Sequence, residues 1–469
     1  MGQACEAGHL VVHVHGGLVD RAAGEGIATR LDPRYRATGA IPLFPVWESG
    51  LLETVRNNLG AVAKEALFRV LVDRLQDLVL RKFGQDDGTR AAGSLPPIDT
   101  SVHREQWRKA LQENDASQLP AEPAPGPGLT ELQELEERAL EQELATDLEL
   151  LQVTAEVANA LRPAEEVAAD QATRSAAAPV RRSAATLMDP DALEELLEED
   201  VTGTRSVVTA WKVAKAIAKV GARVLRRYLA GRDHGLHATI VEETLRAFYL
   251  GNIGGLLWKT MKGDTADHFG GDPQVHGGTA ILEALAHRLD AGDRPRVTLV
   301  GHSAGSVFLG HFLAASEARL GDRLSFDVAL LAPAATFDLA AATYARHRSR
   351  ITGLRMFTMT DANERADRLV PVLYPHSLLY FISGVLEPQA DEPLLGMQRF
   401  FDSEAFPAVS FPTLAEGKAM LDTFPHAHVW SVAQQGAGRS SSAVSHGGFD
   451  DDPDTLESLE HLLKEGFGA

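Results

Sequence analysis

The sequence predicts an α/β fold: a mainly parallel sheet flanked by helices, interrupted by a large helical insertion. Three observations predict it. Residues 9–15 (His-Leu-Val-Val-His-Val-His) form a continuous β-branched run, which suits a strand covered on both faces. From about residue 277 onward, short apolar runs alternate with helical patterns, as strand–helix–strand units do. Between these regions the apolar spacing is helical. The chain divides into a first core part (1–85), an acidic helical insertion with flexible linkers (86–250) and a second core part (251–469).

In chain order, Gly16-Gly17 breaks the first run. Residues 41–47 (Ile-Pro-Leu-Phe-Pro-Val-Trp) give a second strand, whose prolines argue against a central place in a sheet. A helical pattern covers 51–82; residues 84–99 lose periodicity and 118–128 are proline-rich. In 130–161, Leu132, Leu135, Ala139, Leu140, Leu144, Leu148 and Leu151 recur at three- and four-residue steps between glutamates, an amphipathic helix or helical hairpin. This segment is expected to be a lid, or a module for self-association or a protein partner. Residues 163–185 read as a flexible alanine-rich linker, and 191–249 return to helix.

The second core part reads as helix 279–289, strand 296–300, a helix after Ser303, strand 325–331, helix 339–346 and strand 354–359. A helix around 377–382, strand 428–432 and helix 454–465 complete it, with Asp450, Asp451 and Asp452 favouring the N-terminal end of that last helix. In such a sheet, functional groups gather at the carboxyl ends of the strands.

Composition narrows the function. With 65 acidic against 45 basic residues and a net charge of -20, the chain argues against a nucleic-acid partner. The single cysteine, Cys5, excludes an internal disulfide and a cysteine-rich metal site. The start Met1-Gly2-Gln3-Ala4-Cys5 lacks a signal-peptide pattern, and Glu6 stands where a myristoylation motif has Ser or Thr. No apolar run is long enough for a membrane span, so a soluble, cytoplasmic protein is expected.

The chemistry-bearing motif is Gly301-His302-Ser303-Ala304-Gly305, between the strand Val297-Thr298-Leu299-Val300 and a helical pattern. A serine nucleophile needs a sharp strand-to-helix turn that exposes its hydroxyl. Glycines two residues to either side permit close approach of neighbouring chains, and the following helix turns its N–H groups toward a developing oxyanion. Ser303 is therefore the candidate nucleophile.

On that motif the chain resembles the α/β-hydrolase superfamily, in its serine esterase and lipase branch, over about residues 8–60 and 270–465. The resemblance implies an oxyanion hole from the N–H groups of Gly17, after His15-Gly16, and of Ala304. It implies the chain order serine, acid, histidine, with His446 in Ser445-His446-Gly447-Gly448-Phe449 as the base, ahead of His426, His428 and His461. Asp361, directly after strand 354–359, is the favoured acid; Asp367 and Asp338 are the alternatives. It implies no metal or organic cofactor and a small-molecule or lipid acyl substrate, whether carboxyl ester, phospholipid, thioester or amide. A chain opening on this strand lacks the first two strands of many members, so a trimmed or otherwise completed sheet is expected.

Two other readings compete. His13-Val14-His15 puts two imidazoles on one side of a strand, and with Asp267-His268 and His276 these could build a metal-dependent hydrolase. Alternatively, the core is a non-catalytic scaffold that presents the helical insertion. Trp47, Glu48, Tyr249, Trp258, His268 and Phe269 could border a pocket, although ordinary packing accounts for each.

Overall fold

The structure, a computed structural model, describes residues 8–16, 21–46, 51–84, 100–113, 115–120, 142, 186–197, 205–251 and 253–468. The first elements are β1 (His9–Val14), α1 (Arg21–Ala37), β2 (Ile41–Leu43), α2 (Leu51–Val62), α3 (Ala66–Gly84) and α4 (Thr100–Glu113). A helical block follows: α5 (Pro190–Leu197), α6 (Arg205–Leu229), α7 (Leu236–Phe248) and α8 (Gly255–Asp267). The remainder alternates: α9 (Gly277–Asp290), β3 (Arg296–His302), α10 (Gly305–Leu320), β4 (Phe326–Leu331), β5 (Ile351–Met359), α11 (Asp361–Ala366), α12 (Pro412–Asp422), β6 (His428–Ser431) and α13 (Pro453–Glu465).

Six strands form one sheet in the order β2-β1-β3-β4-β5-β6, with every neighbouring pair parallel. The fold is α/β, as the alternation predicts. All six residues of β1 and of β4 are buried, as strands covered on both faces require. β2 is only three residues long and lies at the sheet edge, where Pro42 removes no ladder hydrogen bond from a central strand.

Side chains alternate across the sheet. Leu10, Val12, Val14, Val297 and Leu299 join a large core with α2, α3, α6, α7, α9 and α10. Val11, Val300, Ala329, Leu331, Phe357 and Met359 face α1 and α13, through Ile27, Leu31, Tyr35, Leu456, Leu459 and Leu463. The described part of the expected insertion is thus not an appendage. Trp107, Val213, Ile217, Ile240 and Leu245 belong to the same core as the sheet.

Some expectations change in detail. The helix expected over 51–82 is two helices, parted after Val62. The one expected over 339–346 is a short helix, Phe337–Ala340, continued by a wide turn at Ala341–Ala345. The insertion is not uniformly acidic, because α6 carries seven basic residues and no acidic one, a segregation hidden by the segment average. Apart from Gln142, the segment 130–161 lies outside the described residues, as do the linker 163–185, Gly17, Trp47 and Glu48. Among the described residues no helix is long and apolar enough to cross a membrane.

Candidate active site

The register brings the carboxyl ends of the central strands into one row: Val14 lies beside Gly301, His302 beside Leu331, and Leu331 beside Phe357. Ser303 leaves this row with φ +51°, a left-handed backbone that non-glycine residues rarely adopt. The turn is held from several sides. The Ser303 N–H donates to Leu331 O (2.9 Å), and its carbonyl accepts from the Ser306 hydroxyl (2.6 Å) and the Ala334 N–H (3.1 Å).

The two motif glycines are needed for close approach. A Cβ on Gly305 would sit 2.3 Å from Val14 O, and one on Gly301 would sit 2.7 Å from Leu309 Cδ1. The Ser303 turn is therefore pressed directly against the end of β1. Ala304, fully buried, caps α10, so its N–H lies at the positive end of that helix. Gly16 packs against Ser303, at 3.3 Å from its Cβ to a Cβ built on the glycine.

His446 opens a short turn at His446–Gly448, between β6 and α13. Its Nε2 lies 2.9 Å from Ser303 Oγ, across 143 residues of sequence. Its main chain is fixed at both ends. The N–H donates to Asp367 Oδ2 (2.8 Å), and the carbonyl accepts from His302 Nε2 (3.0 Å). Among the described residues the ring Nδ1 is buried without a hydrogen-bond partner. Burial, reinforced by the charge on His302, depresses the imidazole pKa to about 3, so the ring is a neutral acceptor for the Ser303 proton at ordinary pH.

Of the three carboxylates considered, Asp361 is committed elsewhere. Its Oδ1 accepts from the Tyr380 hydroxyl (2.5 Å) and its Oδ2 from Arg365 Nε (3.0 Å). Burial opposes its charge, yet those two donors and Arg399 hold its carboxyl below the usual value. Asp361 is the first residue of α11, capped by Thr360. Asp338, within the first turn of Phe337–Ala340, accepts from Thr413 Oγ1 (2.6 Å). Asp367, just past the end of α11, is the carboxylate at His446, and burial raises its pKa.

Sequence reasoning missed a second pair. His302, buried beside Ser303, turns its Nδ1 to within 3.8 Å of Asp450 Oδ2 while its Nε2 holds the His446 carbonyl. Burial works against its charge, but Asp450 and that carbonyl raise its pKa. Of Asp450, Asp451 and Asp452, expected to favour the start of the last helix, Asp452 caps it (2.9 Å to Thr455 N), while Asp450 faces His302. The only hint in the sequence was that His302 sits inside the motif itself.

Ser303, His302, His446, Asp367 and Asp450 open onto a cavity of about 490 Å³. Ala23, Ile27, Leu369 and Leu378 give it an apolar side, and Arg30 and Arg56 stand at its border. Arg30 pairs with Asp451 at 2.7 Å. His428 lies at the amino end of β6, the far edge of the sheet from Ser303, with His426 just before it; His461 sits within α13. Tyr249 and Trp258 are core residues, Trp258 donating to Glu387 Oε1 (2.8 Å).

The metal reading finds no assembled ligand set. His13 Nδ1 is bonded to the Tyr35 hydroxyl (2.8 Å), on the α1 face. His268 packs on Phe308, on the opposite face of the sheet. Among the described residues no group of three or more His, Cys, Asp or Glu side chains is arranged to hold an ion.

No protein-family model matches this chain, and no curated protein and no solved structure matches it.

Proposed function

We propose that the chain is a serine hydrolase of the α/β-hydrolase kind, acting on an acyl ester through an acyl-enzyme intermediate. One observation carries the reading: His446 Nε2 stands 2.9 Å from the hydroxyl of Ser303, itself held at φ +51° on a strand-to-helix turn. A serine needs an adjacent base to become nucleophilic, and a neutral, desolvated imidazole at hydrogen-bond distance meets that need.

In the proposed reaction the Ser303 Oγ attacks the acyl carbonyl as its proton passes to His446 Nε2. His446 returns that proton to the leaving oxygen. A water, deprotonated by His446, then attacks the acyl-enzyme, and Ser303 recovers its proton as the acid product departs. The oxyanion is assigned to the N–H of Ala304, at the amino end of α10, together with that of Gly17. Asp367 replaces Asp361 as the acidic member. It already holds the His446 main chain, and in the proposed reaction it would accept from Nδ1, which has no partner among the described residues, when the ring becomes charged. The apolar side at Ala23, Ile27, Leu369 and Leu378 suits a short acyl or alkyl group rather than a charged one.

The test is labelling with a fluorophosphonate probe, followed by a panel of p-nitrophenyl esters of increasing acyl length. The wild-type chain should label and turn over the shorter esters, and Ser303→Ala should do neither while melting at a similar temperature. A folded wild-type chain that does not label would sink the proposal.

A further inference from the structure

The helical block contains a second cavity, of about 550 Å³, remote in character from the first. Along α6 the residues Val213, Ala214, Ile217, Ala218, Val224 and Leu225 are buried in the core. Lys212, Lys215, Lys219 and Arg223 recur at steps of three and four, forming a stripe that lines this cavity. Arg246 of α7 supplies a fifth cation, and Glu195 of α5 is the one carboxylate of the lining. Ala216, Val220, Ala247 and Phe248 form its apolar part.

Arg246 is a prepositioned cation. Its Nη1 donates to Val385 O (2.9 Å) and Glu387 O (2.7 Å), and its Nη2 to Pro388 O (2.6 Å). These carbonyls fix the guanidinium without neutralising it. Among the described residues neither Lys219 nor Arg223 forms an ion pair with a carboxylate. Like charges this close repel one another; burial lowers the pKa of Arg246, with Glu243 and Glu242 opposing that shift and Arg227 and Arg223 adding to it. Such a concentration of positive charge stands out in a chain of net charge -20. A phosphate offers two negative charges and the oxygen geometry that guanidinium groups engage in pairs.

We propose that this cavity is a binding site for a phosphate-bearing anion, held by Arg223 and Arg246 with Lys219 as an added point charge. The assignment is independent of the reaction proposed for Ser303. The anion is either a soluble di- or polyphosphate or the phosphate of a lipid headgroup, and the experiment separates the two.

The full chain is titrated with sodium pyrophosphate by calorimetry at low salt. In parallel it is sedimented with phosphatidylcholine vesicles, with and without phosphatidic acid. Pyrophosphate binding that weakens with added salt assigns a soluble ligand; retention only on phosphatidic acid vesicles assigns a headgroup. In either case Lys219→Glu with Arg223→Glu should lower affinity by roughly tenfold or more, while fluorophosphonate labelling of Ser303 stays at the wild-type level. Arg223→Gln, a milder change, should give a smaller loss in the same direction and serves if the double variant fails to fold. Absence of binding to both probes, or binding that these variants retain, overturns the proposal.

Discussion

Two buried histidines in this molecule are treated in opposite ways. His234, at the junction of the helical block and the second core part, is fully buried and bonded at both nitrogens: Nδ1 to Glu242 (2.7 Å) and Nε2 to Asp391 (2.9 Å). Its partners are themselves held, Glu242 by Arg227 (2.7 Å) and the Tyr374 hydroxyl, Asp391 by Arg232 (2.8 Å) and Arg399 (3.4 Å). His234, His376 and Arg399 in turn surround Tyr380, which bonds Asp361. Among the described residues His446 has one hydrogen-bonding ring partner, Ser303, and an unused Nδ1. The first imidazole is locked by carboxylates and has nothing left to do but join two segments. The second is fixed through its peptide group and keeps its ring chemistry available. That difference, rather than burial or proximity to acids, separates a histidine that holds a fold from one that, in the proposed reaction, moves a proton.

The contrast can be broken at several points. Ser303→Ala or His446→Ala should each lower kcat toward p-nitrophenyl esters by about 10⁶-fold, as in other serine–histidine systems; a residual rate near wild type would show that some other pair does the work. Asp367→Asn should lower kcat by roughly 10²- to 10⁴-fold, whereas Asp361→Asn should mainly lower the melting temperature. The reverse ranking would return the acid role to Asp361. His234→Ala leaves Glu242 and Asp391 buried without their shared partner and should cost roughly 3–5 kcal/mol in urea unfolding, with the labelling rate of the remaining folded protein unchanged.

The pH dependence sharpens the comparison further. Burial, then the charge on His302, holds the His446 pKa at about 3, below the ordinary 6.5. A base is active when neutral, so activity is retained as pH falls through 6.5 and lost only as it approaches the depressed value. A kcat/KM profile with its acid limb centred near the ordinary imidazole value would contradict the buried geometry. The smallest effect is expected at His302. His302→Gln keeps a donor but loses the pairing with Asp450, and should reduce kcat by roughly tenfold or less with little change in KM.

Much of the sheet and part of the site were legible because their determinants are local. Residues 9–15 and 296–302 are apolar runs bounded by glycine, and the Ser303 turn needs small residues at fixed offsets. His446 could be named from its place between the last strand and the last helix. The carboxylate bonded to the His446 main chain was harder to foresee: strand-exit position pointed to Asp361, while Thr360 starts a helix there and the one at His446 is Asp367, just past the end of that helix. Which side of a short helix meets His446 is decided by tertiary packing, and Asp361 and Asp367 lie at opposite ends of that helix. The His302–Asp450 pair and the cluster around His234 join residues 148 and 157 positions apart, beyond the reach of any periodicity. The charge of α6 was hidden for a different reason: averaging over the acidic region around it masked one basic helix.

The contact between Gly305 and Val14 O has a consequence for how the molecule comes into being. Ser303 is hemmed in by Gly16 on one side and His446 on the other, so its surroundings join segments far apart in the sequence. During synthesis β1 must wait some 280 residues for β3, and Ser303 must wait a further 143 for its imidazole. Such distant pairings form slowly. On the proposed reaction, a nascent chain stalled before residue 446 would carry a shaped serine without its imidazole, and labelling by a fluorophosphonate would have to wait for residue 446 to emerge.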